Sequence, residues 1–271
     1  MDKKFLIPVL AVFLLILANS IVFAEAEIVA KDVEYRDGNA VLEGYAVYDS
    51  AKAGKVPGII IVHEWNGLGK YVKGRARQLA LMGYSVFCAD IYGKGIRPKN
   101  PEESGKEAGI YRADRKLMRS RVNAALEEMK KMNISDNTRI AAMGYCFGGG
   151  VVLELARSGA NIPGVVVFHG NLDTPEPAKP GDIKAKVLVL HGADDPYSPA
   201  DKIKIFQDEM RGANVDWQMN FYGGAVHGFT NPDNGSNTST GVAYNKEVDM
   251  RSWEAMKAFF KELFEKKEAV K

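Results

Sequence analysis

Cysteine and histidine are scarce in this sequence, and their positions are informative. The 271 residues include two cysteines, Cys88 and Cys146, and four histidines. The histidines are expected at the ends of four different strands and form no cluster with metal-ligand spacing, so neither a metal site nor a cofactor is expected. They are His63, His169, His191 and His227. An even cysteine count admits one disulfide. However, Cys88 lies inside the strand-like stretch 84–89, and we favour two free thiols.

A large excess of charge is also missing. The net charge is +2, and lysine and arginine are spread among acidic residues. Without a basic patch or stripe, nucleic acid and polyanionic surfaces are not expected as partners. No internal repeat is visible. A small-molecule substrate is the partner that this composition favours, and the oligomeric state stays open.

Only one long apolar run is present, at the N-terminus. A basic start (Met1-Asp-Lys-Lys) precedes the apolar run Phe5–Leu17, and small residues lead up to Ala24. This pattern predicts a signal peptide over residues 1–24 that is cleaved after Ala24. In a bacterial cell the mature chain would then be periplasmic or secreted, without a stable membrane partner. A retained membrane anchor is the alternative. Residues 25–271 are long enough for one α/β domain.

Strand and helix patterns alternate through most of the mature chain. The stretches 31–35 and 40–48 flank Asp37-Gly38 and predict an antiparallel hairpin. Pro57–Glu64 is a continuous apolar run, typical of a central parallel strand. We expect a long loop over 93–105, one helix over 110–132 and a terminal helix over 246–267. The sequence therefore predicts an α/β fold with a mostly parallel, doubly wound sheet, whose ligands bind beyond the carboxyl ends of the strands.

One pentapeptide, Gly144-Tyr-Cys-Phe-Gly148, stands between a predicted strand (139–143) and a predicted helix (149–157). Gly-x-nucleophile-x-Gly at a strand-to-helix turn is typical of the nucleophile elbow of α/β-hydrolases. Such an elbow exposes one side chain and directs the first N–H groups of the helix toward the same space. Cys146 is therefore a candidate nucleophile. The alternative is an inert small core residue, since most free cysteines are of that kind.

Two further polar residues follow later predicted strands. Asp195 comes after the apolar run 187–192, and His227 comes after the strand-like stretch 217–222. Nucleophile, acid and histidine in this order are typical of the α/β-hydrolase triad. Each residue also has a structural alternative: Asp195 could begin an Asp-Pro turn, and His227 could be an ordinary loop histidine.

With these motifs the chain resembles the dienelactone hydrolase family over essentially its whole mature length. The motifs are His63-Glu-Trp-Asn-Gly67, Ala89-Asp-Ile-Tyr-Gly93, Gly144-Tyr-Cys-Phe-Gly-Gly149, His191-Gly-Ala-Asp-Asp-Pro196 and Gly224-Ala-Val-His-Gly-Phe229. The specific feature is a cysteine at the elbow together with Glu64 after the first central strand.

The resemblance implies a role for each residue of the site. Cys146 would be the nucleophile, His227 its general base, and Asp195 the group that orients His227. Glu64 would be the additional carboxylate that contacts the cysteine in the resting enzyme; the alternative is a carboxylate that bonds only the next loop. The backbone N–H groups of Phe147 and Trp65 would form the oxyanion hole.

The expected activity is hydrolysis of small carboxylic esters or lactones through an acyl-cysteine. A weaker expectation places Tyr111, Arg112 and Phe229 in substrate binding. The resemblance also implies an arginine for a substrate carboxylate four positions after the histidine, where this chain has Asn231. A carboxylate-bearing lactone is therefore not the expected substrate. A non-catalytic periplasmic protein that senses thiol redox state or binds a small ligand is the alternative function.

Overall fold

An eight-stranded sheet forms the centre of the computed structural model, which describes residues 26–265. The strands are β1 Ile28–Asp37, β2 Ala40–Asp49, β3 Val56–Val62, β4 Ser85–Ala89, β5 Ser135–Tyr145, β6 Gly164–Phe168, β7 Lys186–Gly192 and β8 Trp217–Tyr222. Their order across the sheet is β1-β2-β4-β3-β5-β6-β7-β8. Strands β1, β2 and β4 pair antiparallel, and all other pairs are parallel. The predicted mostly parallel sheet with an N-terminal hairpin is confirmed.

Helices cover both faces of this sheet. They are α1 Lys70–Leu81, α2 Pro101–Ala113, α3 Arg115–Lys130, α4 Phe147–Arg157, α5 Ala200–Gly212 and α6 Lys246–Phe264, with short 3-10 helices at Pro232–Asn234 and Thr238–Thr240. Successive residues of β3 point to opposite faces. Ile59 and Ile61 pack in the core under α1 and α6, whereas Ile60 and Val62 pack under α3, α4 and α5. Burial on both faces explains why β3 is a continuous apolar run.

The expected loop over 93–105 is wrong in its last five residues, because α2 begins at Pro101. Asn100 caps this helix: its side-chain oxygen accepts a hydrogen bond from the Glu103 N–H at 2.9 Å. Proline at the first helical position and two glutamates in the first turn also favour a helix start there. The sequence carried this signal, but its glycine, proline and charge content obscured it.

The single helix expected over 110–132 is also wrong, since two helices share this stretch. Asp114 leaves the helical conformation (φ −120°, ψ 89°), and α2 ends one residue before it. Its carboxylate then accepts a hydrogen bond from the Leu117 N–H at 2.9 Å and caps α3. An aspartate within an amphipathic pattern thus acts as a cap that restarts the helix in a new direction.

Two predictions involve residues outside the described range of 26–265. One is the signal peptide over 1–24, and the other is the end of the terminal helix, which is expected to reach 267. Within residues 26–265, no helix combines the length and the apolar character that a membrane span requires.

Candidate active site

Cys146 occupies the turn between β5 and α4. Its backbone has φ 53° and ψ −115°, and it is one of three non-glycine residues with positive φ in the described part of the chain. An L residue adopts this conformation only when its surroundings impose it. The turn leaves the Cys146 side chain partly exposed at the carboxyl end of the sheet. The strained geometry is that of a nucleophile elbow.

The flanking glycines are required by close backbone contacts. A β-carbon on Gly144 would lie 2.1 Å from the Gly148 carbonyl oxygen. A β-carbon on Gly148 would lie 2.4 Å from the carbonyl oxygen of Val62, at the end of β3. No real side chain fits at these distances, so the turn can approach the neighbouring strand only with glycine at both positions.

His227 and Asp195 meet on the same edge of the sheet. The His227 Nδ1 and the Asp195 Oδ2 are 2.8 Å apart, in loops that follow β8 and β7. The second Asp195 oxygen accepts a hydrogen bond from the Tyr197 N–H at 2.9 Å, and the Asp195 side chain is fully buried. A buried carboxylate held from two sides fixes the imidazole ring and leaves its Nε2 for the nucleophile.

The ionisation of His227 depends on Cys146. Burial disfavours the charged imidazolium, but the Cys146 sulfur and the Asp195 carboxylate outweigh burial and raise the pKa of His227 to about 10. A protonated histidine stabilises a thiolate, which is the reactive form of cysteine. Cys146 and Asp195 therefore both favour the protonated form of His227.

Glu64 lies just beyond β3 and is only 7% exposed. Asn231 Nδ2 donates a hydrogen bond to its Oε2 at 2.8 Å. Burial raises the pKa of Glu64 to about 7, although the Asn231 hydrogen bond and the charge of His227 lower it. Glu64 can thus gain or lose a proton near neutral pH. No sequence pattern indicated its bond to Asn231, 167 positions away.

Two further histidines support this edge without joining the Asp195 pair. His63 Nδ1 lies 2.6 Å from the Glu64 carbonyl oxygen, and its Nε2 accepts a hydrogen bond from the Ile91 N–H at 3.3 Å. Burial lowers the pKa of His63 to about 4. His169 is also buried, its ring centroid is 5.2 Å from that of His227, and burial holds its pKa well below the usual value. Both are therefore neutral supports of the site.

The backbone N–H groups of Phe147 and Trp65 are the predicted oxyanion hole. Phe147 is the first residue of α4, and Trp65 follows Glu64 in the loop after β3. Tyr92 donates a hydrogen bond to the Trp65 carbonyl at 2.8 Å and so holds that loop. Within residues 26–265, neither N–H makes a hydrogen bond. Both therefore remain free to bind an oxyanion.

The three weakly predicted substrate contacts occupy different positions. Tyr111 is a core residue whose hydroxyl donates to the Tyr92 carbonyl at 3.0 Å. Phe229 is fully buried and packs against His169. Neither side chain has the exposure that contact with substrate requires. Arg112 is exposed, donates to the Asn171 side-chain oxygen at 3.0 Å and lies 5.9 Å from the Phe147 ring centroid.

The sequence patterns did not predict that Tyr197 lies beside His227. The Tyr197 ring lies edge-on to His227, with 5.1 Å between ring centroids, and is half exposed. Its position two residues after the predicted acid was the available signal. Across the described residues, no group of histidine, cysteine, aspartate and glutamate is arranged to hold a metal ion.

Comparison with solved structures defines the class of protein. One similar crystal structure is that of a dienelactone hydrolase-like promiscuous phosphotriesterase from metagenomic libraries. It is 40% identical in sequence, with a TM-score of 0.82, and the match spans 89% of this chain and 100% of the other. A Klebsiella pneumoniae structure at 22% identity and a TM-score of 0.74 covers 86% of this chain and 98% of its own, and it supports the fold alone. The fold is that of the α/β-hydrolases.

The chain belongs to the dienelactone hydrolase family, whose model matches residues 42–264. A Saccharolobus solfataricus protein provisionally named carboxymethylenebutenolidase is 24% identical over 237 residues, or 75% of this chain and 88% of its own. A Caenorhabditis elegans protein of uncharacterised function is 33% identical over 150 residues, or 54% of this chain and 94% of its own. Family membership makes this chain a carboxylic ester or lactone hydrolase.

Proposed function

We propose that this hydrolase acts through an acyl-cysteine intermediate formed by Cys146, His227 and Asp195. The observation that carries the proposal is the 2.8 Å contact between His227 and Asp195, together with the interaction of the Cys146 sulfur with the same imidazole. The Cys146 thiolate attacks the ester carbonyl, and the N–H groups of Phe147 and Trp65 bind the oxyanion. His227 protonates the leaving alcohol and then activates water, which releases the acid.

Mass spectrometry of the intact protein after mixing with p-nitrophenyl acetate tests this mechanism. Wild type should gain the mass of one acetyl group while the burst of nitrophenolate is released, and Cys146→Ala should show neither. Cys88→Ala is the matched control, because the Cys88 thiol is fully buried and burial raises its pKa to about 12. Equal hydrolysis by Cys146→Ala and wild type would show that another group is the nucleophile.

We also propose neutral phosphotriesters as a second substrate class. A cavity of about 300 Å³ beside Glu64 is lined by Trp65, Asn231 and the Lys70–Asp233 ion pair, whose charged atoms are 3.1 Å apart. Lys70, the cation of this lining, is paired, and among the described residues no arginine lines the cavity, so a neutral ester is favoured over an anionic one. The 40% identical relative is described as a promiscuous phosphotriesterase, which supports the same class.

A pair of phosphate substrates tests the second activity. A diethyl p-nitrophenyl phosphate triester should be hydrolysed, and the corresponding monoanionic diester should react at least tenfold more slowly, because a charge beside Glu64 is repelled. Cys146→Ala should lose the triester activity as well. Preference for the diester would contradict the proposal.

We further propose that export removes residues 1–24 and that residues 25–271 act as one domain in the periplasm or outside the cell. The basic start, the apolar run Phe5–Leu17 and the small residues before Glu25 support it. Expression of the full chain in a bacterium, followed by N-terminal sequencing of the periplasmic fraction, tests it. A first residue other than Glu25 contradicts the cleavage site, and an intact N-terminus in the membrane fraction supports an anchor instead.

A further inference from the structure

Thr230 is a buried residue held from three directions. Its hydroxyl accepts a hydrogen bond from Tyr71 at 2.7 Å and lies 2.8 Å from His169 Nε2. Its carbonyl oxygen accepts a hydrogen bond from Arg75 Nη2 at 2.9 Å. These partners lie on α1 and at the end of β6, more than 60 positions away in sequence. The loop after His227 is therefore fixed at this residue.

Arg75 is the charged member of this network and is itself nearly buried. Besides Thr230, its guanidinium forms an ion pair with Asp249 on α6 and donates to the Tyr71 hydroxyl at 3.3 Å. A buried ion pair costs desolvation energy, and it is favourable only where geometry and further hydrogen bonds compensate. Here the guanidinium joins α1, α6 and the Thr230 carbonyl at one point.

Asn231 follows Thr230 in the chain. Its side-chain amide donates a hydrogen bond to the Glu64 carboxyl group at 2.8 Å. Both side chains are buried, so the amide cannot be replaced by bulk water without opening the loop. We propose that Arg75 is a positioning residue which, by anchoring the Thr230 carbonyl, holds the Asn231 amide on the Glu64 carboxyl. The proposal deepens the function proposed above and rests on it in one respect, that Glu64 is then part of an active site.

Several charged groups influence the pKa of Glu64, which is the property that the anchoring by Arg75 would control. His227 lies on the loop after β8, Asp233 on the first 3-10 helix and Arg75 on α1. The charges of His227 and Arg75 lower the pKa of Glu64, that of Asp233 raises it, and the Asn231 hydrogen bond lowers it more than any of these charges. Arg75 therefore favours the Glu64 carboxylate by two routes: directly through its charge, and indirectly through Asn231.

A double-mutant cycle separates the two routes. The midpoint of Glu64 ionisation is followed by ¹³C NMR of glutamate-labelled protein, with the Glu64 signal assigned by its absence from Glu64→Gln. Arg75→Met should move the midpoint upward by about one pH unit, as expected for loss of a hydrogen bond and a nearby charge. On an Asn231→Ala background the same substitution should move it by less than half as much, because the amide route is already absent.

Two further variants separate positioning from loss of stability. Arg121→Met removes a comparably buried ion pair, in which Arg121 and Asp37 are 2.5 Å apart. Arg121 is not among the groups that shift the pKa of Glu64, so this variant should destabilise the protein without moving the Glu64 midpoint. Arg75→Lys keeps the positive charge but removes the guanidinium Nη2 that donates to the Thr230 carbonyl. It should move the midpoint upward as well, and it replaces Arg75→Met in the cycle if that variant does not fold.

Equal shifts by Arg75→Met with and without Asn231 would show that Arg75 acts by charge alone and would overturn the proposal. An unmoved midpoint in Arg75→Met or Arg75→Lys would do the same. The titration needs no turnover. Retained hydrolysis by Cys146→Ala would therefore refute the catalytic proposal without changing the cycle, and a failed cycle would leave the Cys146 result intact.

Discussion

Replacing Glu64 by glutamine is expected to stabilise the protein at alkaline pH. Burial raises the pKa of Glu64 from an ordinary 4.5 to about 7. Since one pKa unit corresponds to about 1.4 kcal/mol, ionising this buried carboxyl costs about 3 kcal/mol of folding free energy. Glutamine cannot ionise, has nearly the same shape and retains an oxygen that accepts the Asn231 hydrogen bond. Glu64→Gln should therefore avoid this cost.

The direction of the change in stability with pH follows from proton binding by Glu64 in the folded and unfolded states. The unfolded chain releases the Glu64 proton near pH 4.5, and the folded protein releases it near pH 7. Between these values the folded state binds more protons, so wild-type stability falls as pH rises, and the loss is complete above pH 7. Urea unfolding at pH 5, 6, 7 and 8 should show Glu64→Gln gaining stability over wild type progressively, by about 3 kcal/mol in all.

A matched substitution isolates the effect. Glu34 is exposed, and its hydrogen bond to Lys94 lowers the pKa of its carboxyl, so it stays ionised throughout this pH range. Glu34→Gln should shift stability by the same amount at every pH from 6 to 8. A stability difference between Glu64→Gln and wild type that does not change with pH would refute the assignment of a proton to Glu64 at neutral pH.

The remaining predictions concern the base and the elbow. Asp195→Asn should lower the pKa of His227, because it removes a carboxylate that favours the imidazolium. It should slow hydrolysis of p-nitrophenyl acetate by at least about tenfold, because the imidazole is no longer held in the tautomer that presents Nε2 to Cys146; an unchanged rate would show that the carboxylate does not act through the imidazole. Gly148→Ala should destabilise the protein by about 3 kcal/mol, measured by urea unfolding, because its β-carbon would lie 2.4 Å from a backbone oxygen of β3. Gly74→Ala, with open space on the α1 surface, should instead stabilise it by about 0.5–1 kcal/mol; equal effects of the two alanines would contradict the steric argument.

Sequence patterns predicted the strands and the chain order of the site well, for a physical reason. A parallel strand buried on both faces must be a continuous apolar run, as β3 and β7 are. Ligand-binding residues of such sheets follow the carboxyl ends of strands, so Cys146, Asp195 and His227 could be located from the strands before them. The close contact between the backbones at Gly144 and Gly148 requires glycine at position 144, and that glycine is visible in the sequence.

Helix boundaries and the wider site were harder to predict. The break at Asp114 and the start of α2 at Pro101 depend on single capping side chains within otherwise ambiguous patterns. The contacts of Glu64 and Arg75 join residues 155 to 174 positions apart, which no local spacing reveals. Their positions follow from the packing of α1 and α6 against the same face of the sheet.

The strand order has a consequence for oxidation. Cys88 lies on β4 and Cys146 follows β5, with β3 paired between them. Cys88 is level with Met143, and Cys146 lies three residues further along. Two strand spacings of roughly 4.8 Å therefore place the two cysteine backbones at least about 10 Å apart, beyond the reach of a disulfide. An oxidant that enters the cleft therefore meets a thiol with no resolving partner in its own chain. Oxidised Cys146 would end as a sulfenic acid or a mixed disulfide with a small thiol, and reductant from outside would restore it.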